Sequence, residues 1–304
     1  KMSQVDAPKV VSRRTFLKKA AAVGTGATVL GVLGGCAPKT AGNNATTPTW
    51  SKEADIVVVG SGTAAVAALV AAKEGAKVIV IEKAVAFGGT SALSGGAFWT
   101  PNNFAEKAKG VVDSREAAIS YIKRVTEGQS TDELISAYVD GANTMAEYLR
   151  DKFNLTIDVN ANKNFQDYYP GEGSVDFGRS LYIWKDGAQI HGGGTWRLFR
   201  SLLDDMGVEI LLETAGKKLV TNDAGEVIGI IAESAGQEIA IKANKAVILG
   251  TGGFDFNKTW TKHFLRGPIA FSNAVPTNTG DGHVMGMLLG ASLRNMNESW
   301  GLPG

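Results

Sequence analysis

The 304-residue sequence contains one cysteine and three histidines. A lone cysteine forms no intramolecular disulfide, and it lacks the repeated spacing that iron–sulfur clusters or haem attachment require. His191, His263 and His283 are scattered along the chain and form no metal-ligand spacing. We therefore expect neither a disulfide framework nor a bound metal.

The sequence also lacks an excess of charge of either sign. Lys and Arg number 31 and Asp and Glu number 30, which gives a formal net charge of +1. Nucleic-acid binding requires concentrated positive charge, so we exclude that function. No G-x-S-x-G elbow of a hydrolase is present, and "AGKKL" lacks the spaced glycine and the hydroxyl of a P-loop. The absence of these two motifs excludes hydrolase and kinase chemistry.

The N-terminal region resembles an export signal. Arg13 and Arg14 precede an apolar, glycine-rich stretch over residues 20–35, as in twin-arginine signals. As a helix, this stretch would cover about 24 Å, which is short of the roughly 30 Å hydrocarbon core of a membrane. Cys36 follows Leu-Gly-Gly, which resembles a lipoprotein cleavage box; the alternative is an unmodified thiol in a discarded peptide.

Three segments are therefore predicted. Residues 1–36 form the twin-arginine signal with its lipobox, residues 37–52 form a flexible tether of small and polar residues, and residues 53–304 form the folded domain. We expect an exported protein that is periplasmic or tethered through lipidated Cys36 to the outer side of the cytoplasmic membrane.

The folded domain opens with "IVVVGSGTAAVAALVAAKEGAKVIVIEK", which predicts a strand, a tight turn, a helix and a second strand. The turn fits G-x-G-x-x-A. Gly60 permits the tight turn, Gly62 lets a pyrophosphate approach the backbone, and Ala65 allows close packing of the helix on the strand. We predict that the helix runs to Glu74, with a buried face containing Val66, Leu69 and Val70.

The second predicted strand, residues 77–81, ends at Glu82. A carboxylate there can accept hydrogen bonds from ribose hydroxyls, while the helix N-terminus offers free amides and a positive dipole end to the phosphates. A bound dinucleotide is predicted by the combination of a strand, a glycine turn, a helix, a second strand and an acidic residue at its end.

Three later segments repeat this glycine-rich character. "GGTSALSGG" begins at Gly88, "GTGGF" follows an apolar strand over 246–249 that we place beside the first strand, and "NTGDG" precedes a helix predicted over 284–289. Runs with so little bulk suit a long cofactor that passes close to the backbone. For the first run alone, the alternative interpretation is a surface loop, which we consider the weaker of the two.

These motifs, in this order, resemble the flavoproteins that group fumarate reductase and succinate dehydrogenase flavoprotein subunits with 3-ketosteroid dehydrogenases. The resemblance covers residues 54–300 and implies FAD. The cofactor residues that we predict from the motifs and the resemblance are Gly60, Gly62, Thr63, Ala64, Ala65, Glu82, Lys83, Gly88, Gly89, Thr90, Ser91, Gly95, Gly96, Gly216, Thr251, Gly252, Gly253 and Asp281.

"GGAFWTPNN", "FQDYYPGEG" with "GRSLY", and "MNESW" look more like the 3-ketosteroid dehydrogenase branch. That branch implies an aromatic–tyrosine pair at the substrate site. Tyr168, three residues after Phe165, matches its catalytic tyrosine, and Tyr169 is the close competitor; without the family, the stretch is typical of a packed loop. The fumarate-type branch carries a substrate-orienting histidine shortly beyond the position of Trp300, where this sequence has none.

The resemblance implies an oxidoreductase that adds or removes hydrogens across a carbon–carbon bond next to a carbonyl. A steroid-like ketone is the leading substrate, and an unsaturated carboxylic acid is the alternative. Electrons would be exchanged with a separate partner or a diffusible acceptor. A non-catalytic flavin-binding piece is the competing hypothesis.

The expected fold is a Rossmann-like α/β FAD-binding domain with a parallel sheet, a small antiparallel sheet and a helical insertion. Ser114 and Ser130 are predicted to cap insertion helices over 115–125 and 132–153, and the antiparallel sheet is predicted over 208–213, 218–220, 227–232 and 238–241. We expect His191 to order the start of a helix over 195–206. The family's substrate-capping domain and catalytic base are expected to lie beyond this sequence.

Overall fold

A computed structural model describes residues 48–162 and 166–299 of the chain. The predicted signal with Arg13 and Arg14, Cys36, most of the predicted tether, Phe165 and Trp300 lie outside the described residues.

The described residues form ten strands and eight helices. In chain order these are β1 Lys52–Val59, α1 Ala65–Lys73, β2 Val78–Ile81, α2 Gly89–Leu93, β3 Phe98–Trp99, α3 Phe104–Ala108, α4 Arg115–Thr126, α5 Asp132–Phe153, β4 Thr156–Val159, β5 Ser180–Lys185, β6 Ala188–Gln189, α6 Gly192–Asp205, β7 Glu209–Leu211, β8 Thr214–Thr221, β9 Val227–Ser234, β10 Gln237–Leu249, α7 Lys258–Phe264 and α8 Asp281–Leu288.

The main sheet has six strands in the order β7-β2-β1-β10-β9-β8. Strands β7, β2, β1 and β10 pair in parallel, and β10, β9 and β8 pair antiparallel. The expected parallel sheet with an antiparallel part is confirmed. The two short strands predicted over 238–241 and 246–249 form one strand, β10, whose first half pairs with β9 and whose second half pairs with β1.

One strand was predicted in the wrong place. Residues 208–213 were expected in the antiparallel part, but β7 pairs in parallel with β2. The connecting helix α6 packs against α1 and returns the chain to the free edge of β2, as a helical crossover between parallel strands does.

The central strands are buried on both faces. Val58 and Val80 contact the helical layer that contains Leu69, Phe199 and Leu203. Their neighbours Val57, Val59, Ile79 and Ile81 form a second core with Ile230, Ile241 and Met285. Such burial explains why these strands are continuous apolar runs.

Helix α1 buries a different face from the predicted one. Ala65, Ala68 and Leu69 are its buried residues, while Val66 and Val70 are half-buried. The small alanines allow the helix to approach the sheet closely, and Val66 packs against the same core from a half-buried position.

The sequence predicted a helical insertion, but the insertion contains strands as well as helices. It carries a second sheet in the order β3-β5-β4, with β6 paired to β5. Ser114 caps α4 as predicted, by accepting from the Ala117 amide, but Thr131 rather than Ser130 caps α5. His191 directly precedes α6, which begins at Gly192, three residues earlier than predicted.

Candidate cofactor site

Gly60 closes the turn at the end of β1. Its φ is +98°, and a Cβ on this residue would lie 2.2 Å from the Gly250 carbonyl oxygen. The Gly60 amide donates to the Ile81 carbonyl at 2.8 Å, and the Gly250 amide donates to the Val59 carbonyl at 2.8 Å. The ends of three parallel strands therefore meet at a corner where the first residue must be glycine.

The backbone that leads into α1 is oriented by Trp196, a residue that the sequence motifs did not indicate. Its Nε1 contacts the Ser61 and Gly62 carbonyl oxygens at 3.1 and 3.0 Å. In trans peptides the following N–H groups, those of Gly62 and Thr63, point the opposite way. These two N–H groups lie at the N-terminus of α1 and can bind an anion there, whereas the Ala65 and Val66 amides donate to the Gly62 and Thr63 carbonyls.

Glu82 points at the glycine corner, as the dinucleotide prediction requires. The residue is 6% exposed, and its Oε2 accepts from the Ser61 amide at 2.9 Å and from the Ser61 hydroxyl at 2.6 Å. Its Oε1 accepts from the Ala84 amide at 2.8 Å. Because a carboxylate oxygen accepts about two hydrogen bonds, Oε1 retains capacity for a ribose hydroxyl.

Lys83 ties the end of β2 to the start of α8. Its Nζ donates to Thr279 Oγ1 at 2.7 Å and to Asp281 Oδ2 at 2.8 Å. Thr279 Oγ1 in turn donates to Asp281 Oδ1 at 2.8 Å. The fold thus joins two predicted cofactor residues that are 198 positions apart.

The three glycine-rich segments pack tightly on one another. A Cβ on Gly252 would lie 2.6 Å from Asn278 Oδ1, and one on Gly282 would lie 2.3 Å from Thr251 Oγ1. The Asn278 side-chain amide donates to Thr90 Oγ1 at 3.3 Å. Close approach, rather than loop flexibility, explains the composition of these segments.

These elements surround a cavity of about 710 Å³, within the range of small-molecule and cofactor sites. The predicted cofactor residues in its wall are Gly60, Gly62, Thr63, Ala64, Glu82, Lys83, Gly89, Thr90, Ser91, Gly216, Thr251, Gly252, Gly253 and Asp281.

Four predicted positions lie outside that wall. Ala65 is buried beneath the turn, and the Gly88 amide donates to Ser61 Oγ at 2.7 Å. The Gly95 carbonyl oxygen lies 3.3 Å from His191 Nδ1, and a Cβ on Gly96 would lie 2.8 Å from the Gly192 amide nitrogen. Each of these positions makes its contacts within the protein and does not border the cavity.

The wall suits a dinucleotide whose diphosphate is held by main chain. Among the described residues in the wall, Lys83 is the one Lys or Arg, and it is paired with Asp281. The charge of the diphosphate would therefore be neutralised by main-chain amides and the dipole at the N-terminus of α1. Glu82, which lies beside them, would bind the ribose. These residues fit FAD.

Tyr168 does not line this cavity. It is 63% exposed, its neighbour Tyr169 is 62% exposed, and neither residue borders the cofactor cavity. The catalytic assignment of Tyr168 therefore stays a prediction.

Beneath the two tyrosines lies a buried ion cluster that sequence reasoning missed. The Arg179 guanidinium is paired with Asp113 at 2.5 Å and with Asp167 at 2.9 Å. The Trp99 indole donates to the second Asp167 oxygen at 2.7 Å. The arginine of "GRSLY" was a visible signal, but its acidic partners are 12 and 66 positions away.

Two carboxyls in this cluster have pKa values that are shifted in opposite directions. Burial and the Asp113 carboxylate raise the pKa of Glu106 from 4.5 to about 8. Burial also acts to raise the pKa of Asp113, but hydrogen bonds from Arg179 and the Asn102 amide hold it below its usual value. Glu106 is therefore mainly the neutral acid at pH 7, and Asp113 is the carboxylate.

A second cavity of about 970 Å³ adjoins the first and shares Gly253 and Asp255 with it. Half of its lining residues are polar or charged, and its wall contains Phe254, Leu265, Ile269, Phe271 and Met296 together with Asp255, Ser272, Asn273, His283, Arg294, Asn295, Glu298 and Ser299.

Within residues 48–162 and 166–299, no group of three His, Cys, Asp or Glu side chains is arranged to hold a metal ion. Over the same residues, no helix has the length and apolar character needed to cross a membrane.

Two curated relatives illustrate what the chain is similar to. The chain is 31% identical to the 3-oxosteroid 1-dehydrogenase of Comamonas testosteroni, over 77% of this chain and 53% of the relative. It is 31% identical to the urocanate reductase of Eggerthella lenta, over 80% of this chain and 39% of the relative. The chain thus spans about half the length, or less, of these relatives.

A solved structure shows the same fold. The 3-ketosteroid Δ1-dehydrogenase of Sterolibacterium denitrificans, in complex with 1,4-androstadiene-3,17-dione, superposes with a TM-score of 0.71 and 28% identity. The match covers 82% of this chain and 57% of that one.

A family model described as "FAD binding domain" matches residues 55–304. This match covers most of the chain, and it spans all four motifs from which FAD was predicted. The predictions of the fold class and the cofactor are confirmed. The chain belongs to the FAD binding domain family, which includes 3-ketosteroid dehydrogenases and related flavoprotein reductases.

Proposed function

We propose that the protein is an FAD-dependent oxidoreductase that adds or removes hydrogens across a carbon–carbon bond next to a carbonyl. One observation carries the proposal: the glycine corner, the N-terminus of α1 and Glu82 border one cavity of cofactor size. The similarity to a 3-oxosteroid 1-dehydrogenase and to a urocanate reductase supports the reaction class.

FAD, when bound, supplies hydride exchange with a substrate carbon. The amides of Gly62 and Thr63 would neutralise the diphosphate, and Glu82 would orient the adenosine ribose. Trp196 holds the Ser61 and Gly62 carbonyls, which keeps those amides directed away from its own indole.

A steroid-like ketone is the substrate class that we favour. The similarity to the 3-oxosteroid 1-dehydrogenase of Comamonas testosteroni supports this choice, and the second cavity, which adjoins the cofactor cavity at Gly253 and Asp255, offers apolar surface such as Phe254, Leu265 and Phe271 beside its polar residues. Tyr168 would assist proton transfer beside the carbonyl. An unsaturated carboxylic acid is the second candidate, supported by the urocanate reductase.

Purified protein tests the proposal in two steps. We expect one FAD per chain by absorbance after removal of free flavin. Titration with a 3-ketosteroid should perturb the flavin spectrum, and titration with urocanate is the competing arm. Colourless protein that does not take up added FAD would contradict flavin binding; stoichiometric flavin without a response to either compound would favour the non-catalytic piece.

We also propose export with membrane tethering through Cys36, and electron exchange with a separate partner or diffusible acceptor. Changing Arg13 and Arg14 to lysine should retain the protein in the cytoplasm. Changing Cys36 to alanine should release exported protein from the membrane fraction. Unchanged fractionation of both variants would contradict this proposal.

A further inference from the structure

The turn that carries Tyr168 and Tyr169 combines exposed rings with a buried anchor. Asp167, directly before Tyr168, is only 6% exposed. Its backbone amide donates to the Val175 carbonyl at 3.1 Å, and its side-chain Oδ2 accepts from the Val175 amide at 3.1 Å. One residue therefore closes the turn through both its main chain and its side chain.

The anchor continues into the second sheet. Asp167 Oδ2 also accepts from Arg179 Nη1 at 2.9 Å, while Asp167 Oδ1 accepts from Trp99 Nε1 at 2.7 Å. Arg179 is 1% exposed and is held on its other side by Asp113. A buried carboxylate with three such contacts fixes geometry strongly, because any displacement leaves buried charge without a partner.

The far end of the turn is fixed by α4. Arg124 donates to the Tyr169 carbonyl at 2.6 Å and to the Glu172 carbonyl at 3.1 Å. Gly173 lies so close to this helix that a Cβ would be 2.4 Å from the Ala117 carbonyl oxygen. The turn is thus held at both ends while its two aromatic rings face outward.

Trp99 connects this turn to the cofactor cavity. Ala97 lines that cavity, and β3 follows it with Phe98 and Trp99. The Trp99 ring stacks against Tyr121 and Tyr138 at centroid distances of 5.5 and 6.1 Å, so its orientation is restricted. The cavity wall is thus linked to the turn along the chain from Ala97 to Trp99. The hydrogen bond from Trp99 to Asp167 completes the link, because Asp167 directly precedes Tyr168.

We propose that Asp167 is a positioning residue, which uses Trp99 and Arg179 to hold the turn that carries Tyr168 in one fixed geometry. The proposal rests on the proposed function only in assigning Tyr168 to the substrate site. A packed surface loop needs no such anchor, whereas a side chain that must meet a ligand beside a cofactor does.

The test uses the flavin-loaded chain with 3-fluorotyrosine in place of tyrosine. The Tyr168 fluorine signal is identified by its loss in Tyr168→Phe. We expect Asp167→Asn to broaden this signal at least twofold or to split it, and to accelerate hydrogen exchange at the Val175 amide about tenfold. Flavin affinity should change less than twofold, while the dissociation constant of a 3-ketosteroid should rise about tenfold.

Two controls separate positioning from general stability. Asp113→Asn weakens the ion pair that Arg179 makes on the side away from Asp167. It should leave the Tyr168 signal narrow at temperatures well below the melting temperature. Asp158→Asn removes an exposed carboxylate that is paired with Lys109 and should change nothing. Asp167→Ala repeats the test with the whole carboxyl group removed.

The proposal would be overturned if both Asp167 variants kept the wild-type signal width, the wild-type hydrogen exchange at the Val175 amide and the wild-type ketone affinity. Equal broadening in Asp113→Asn would do the same, because the effect would then belong to the cluster as a whole. If wild type binds no ketone, the ketone fails as the proposed substrate class, but the fluorine and exchange results still decide whether Asp167 holds the turn.

Discussion

The cofactor corner and the buried ion cluster are organised in opposite ways. At the corner, Gly60 and Gly62 act through the absence of side chains, and main-chain amides provide the binding groups. In the cluster, Arg179, Asp113 and Asp167 act entirely through side chains in a buried environment. Substitutions should therefore affect ligand binding in one region and folding in the other.

The largest expected effect is on the stability of the cluster. Arg179→Met would leave two buried carboxylates without their cation, which costs about 3–5 kcal/mol in free energy of unfolding. Chemical denaturation measures the loss. Protein that still folds should bind flavin with an affinity close to that of wild type, because no cluster residue lines the cofactor cavity.

The matched control is Arg200→Met, which breaks an exposed i,i+4 pair with Asp204. Exposed pairs contribute about 0.5 kcal/mol or less, so this variant should be nearly as stable as wild type. Equal losses from the two arginines would remove the distinction between the regions.

This difference also explains what the sequence could predict. The corner was predictable because G-x-G-x-x-A and Glu82 encode local geometry within 23 residues. Asp113, Asp167 and Arg179 were not, since their pairing depends on a second sheet made of short strands with little periodicity, such as β3 Phe98–Trp99. Trp196 was missed for a similar reason: its hydrogen bonds span 134 and 135 positions.

At the helix ends, sequence reasoning succeeded where the cap is a local hydrogen bond. Ser114 was identified, but the choice between Ser130 and Thr131 depends on which residue adopts the extended backbone, and both carry hydroxyls. The antiparallel placement of residues 208–213 was wrong because strand direction is set by the preceding α6 crossover rather than by the strand's own residues.

The second effect concerns the corner. Gly62 has no positive φ, and a Cβ there would lie 3.3 Å from the Ser91 hydroxyl, so Gly62→Val requires only a small adjustment of the fold. The added methyl groups would occupy space where a pyrophosphate approaches the backbone. We expect flavin affinity to fall at least about 100-fold, or about 2.7 kcal/mol, measured by fluorescence titration.

Gly141→Ala is the control for this substitution, because no atom lies within 4 Å of a Cβ at that position in α5. It should retain flavin and gain up to about 1 kcal/mol of stability from better helix propensity. Unchanged flavin affinity in Gly62→Val would argue against phosphate binding at this turn.

The third effect is a pH dependence of the cluster. Burial and Asp113 raise the pKa of Glu106 to about 8, whereas the unfolded chain has a value near 4.5. Between these values the folded state holds a proton that the unfolded state has released. The free energy of unfolding should therefore fall as pH rises from about 4.5 to 8, by up to about 1.4 kcal/mol per pH unit.

Glu106→Gln should flatten this slope, and Glu116→Gln, on the exposed side of α4, should preserve it. Denaturation curves at several pH values between 5 and 8 provide the measurement. The same slope in the Glu106 variant and in wild type would show that another group is responsible. The depressed pKa of Asp113 acts in the opposite direction and only at acidic pH, below its usual value.

The smallest expected effect separates a local cap from the cluster beside it. Ser114 accepts from the Ala117 amide at 3.0 Å, while its own amide donates to Asp113 Oδ1 at 2.8 Å. Ser114→Ala removes the first bond and keeps the second, so we expect a loss of about 1 kcal/mol without a change in the pH slope. Ser114→Asn should restore most of the stability, as asparagine is an equally good cap. A loss of 3 kcal/mol or more in the alanine variant would mean that the cap and the ion cluster form one cooperative unit, and that the boundary between local and long-range stabilisation lies elsewhere.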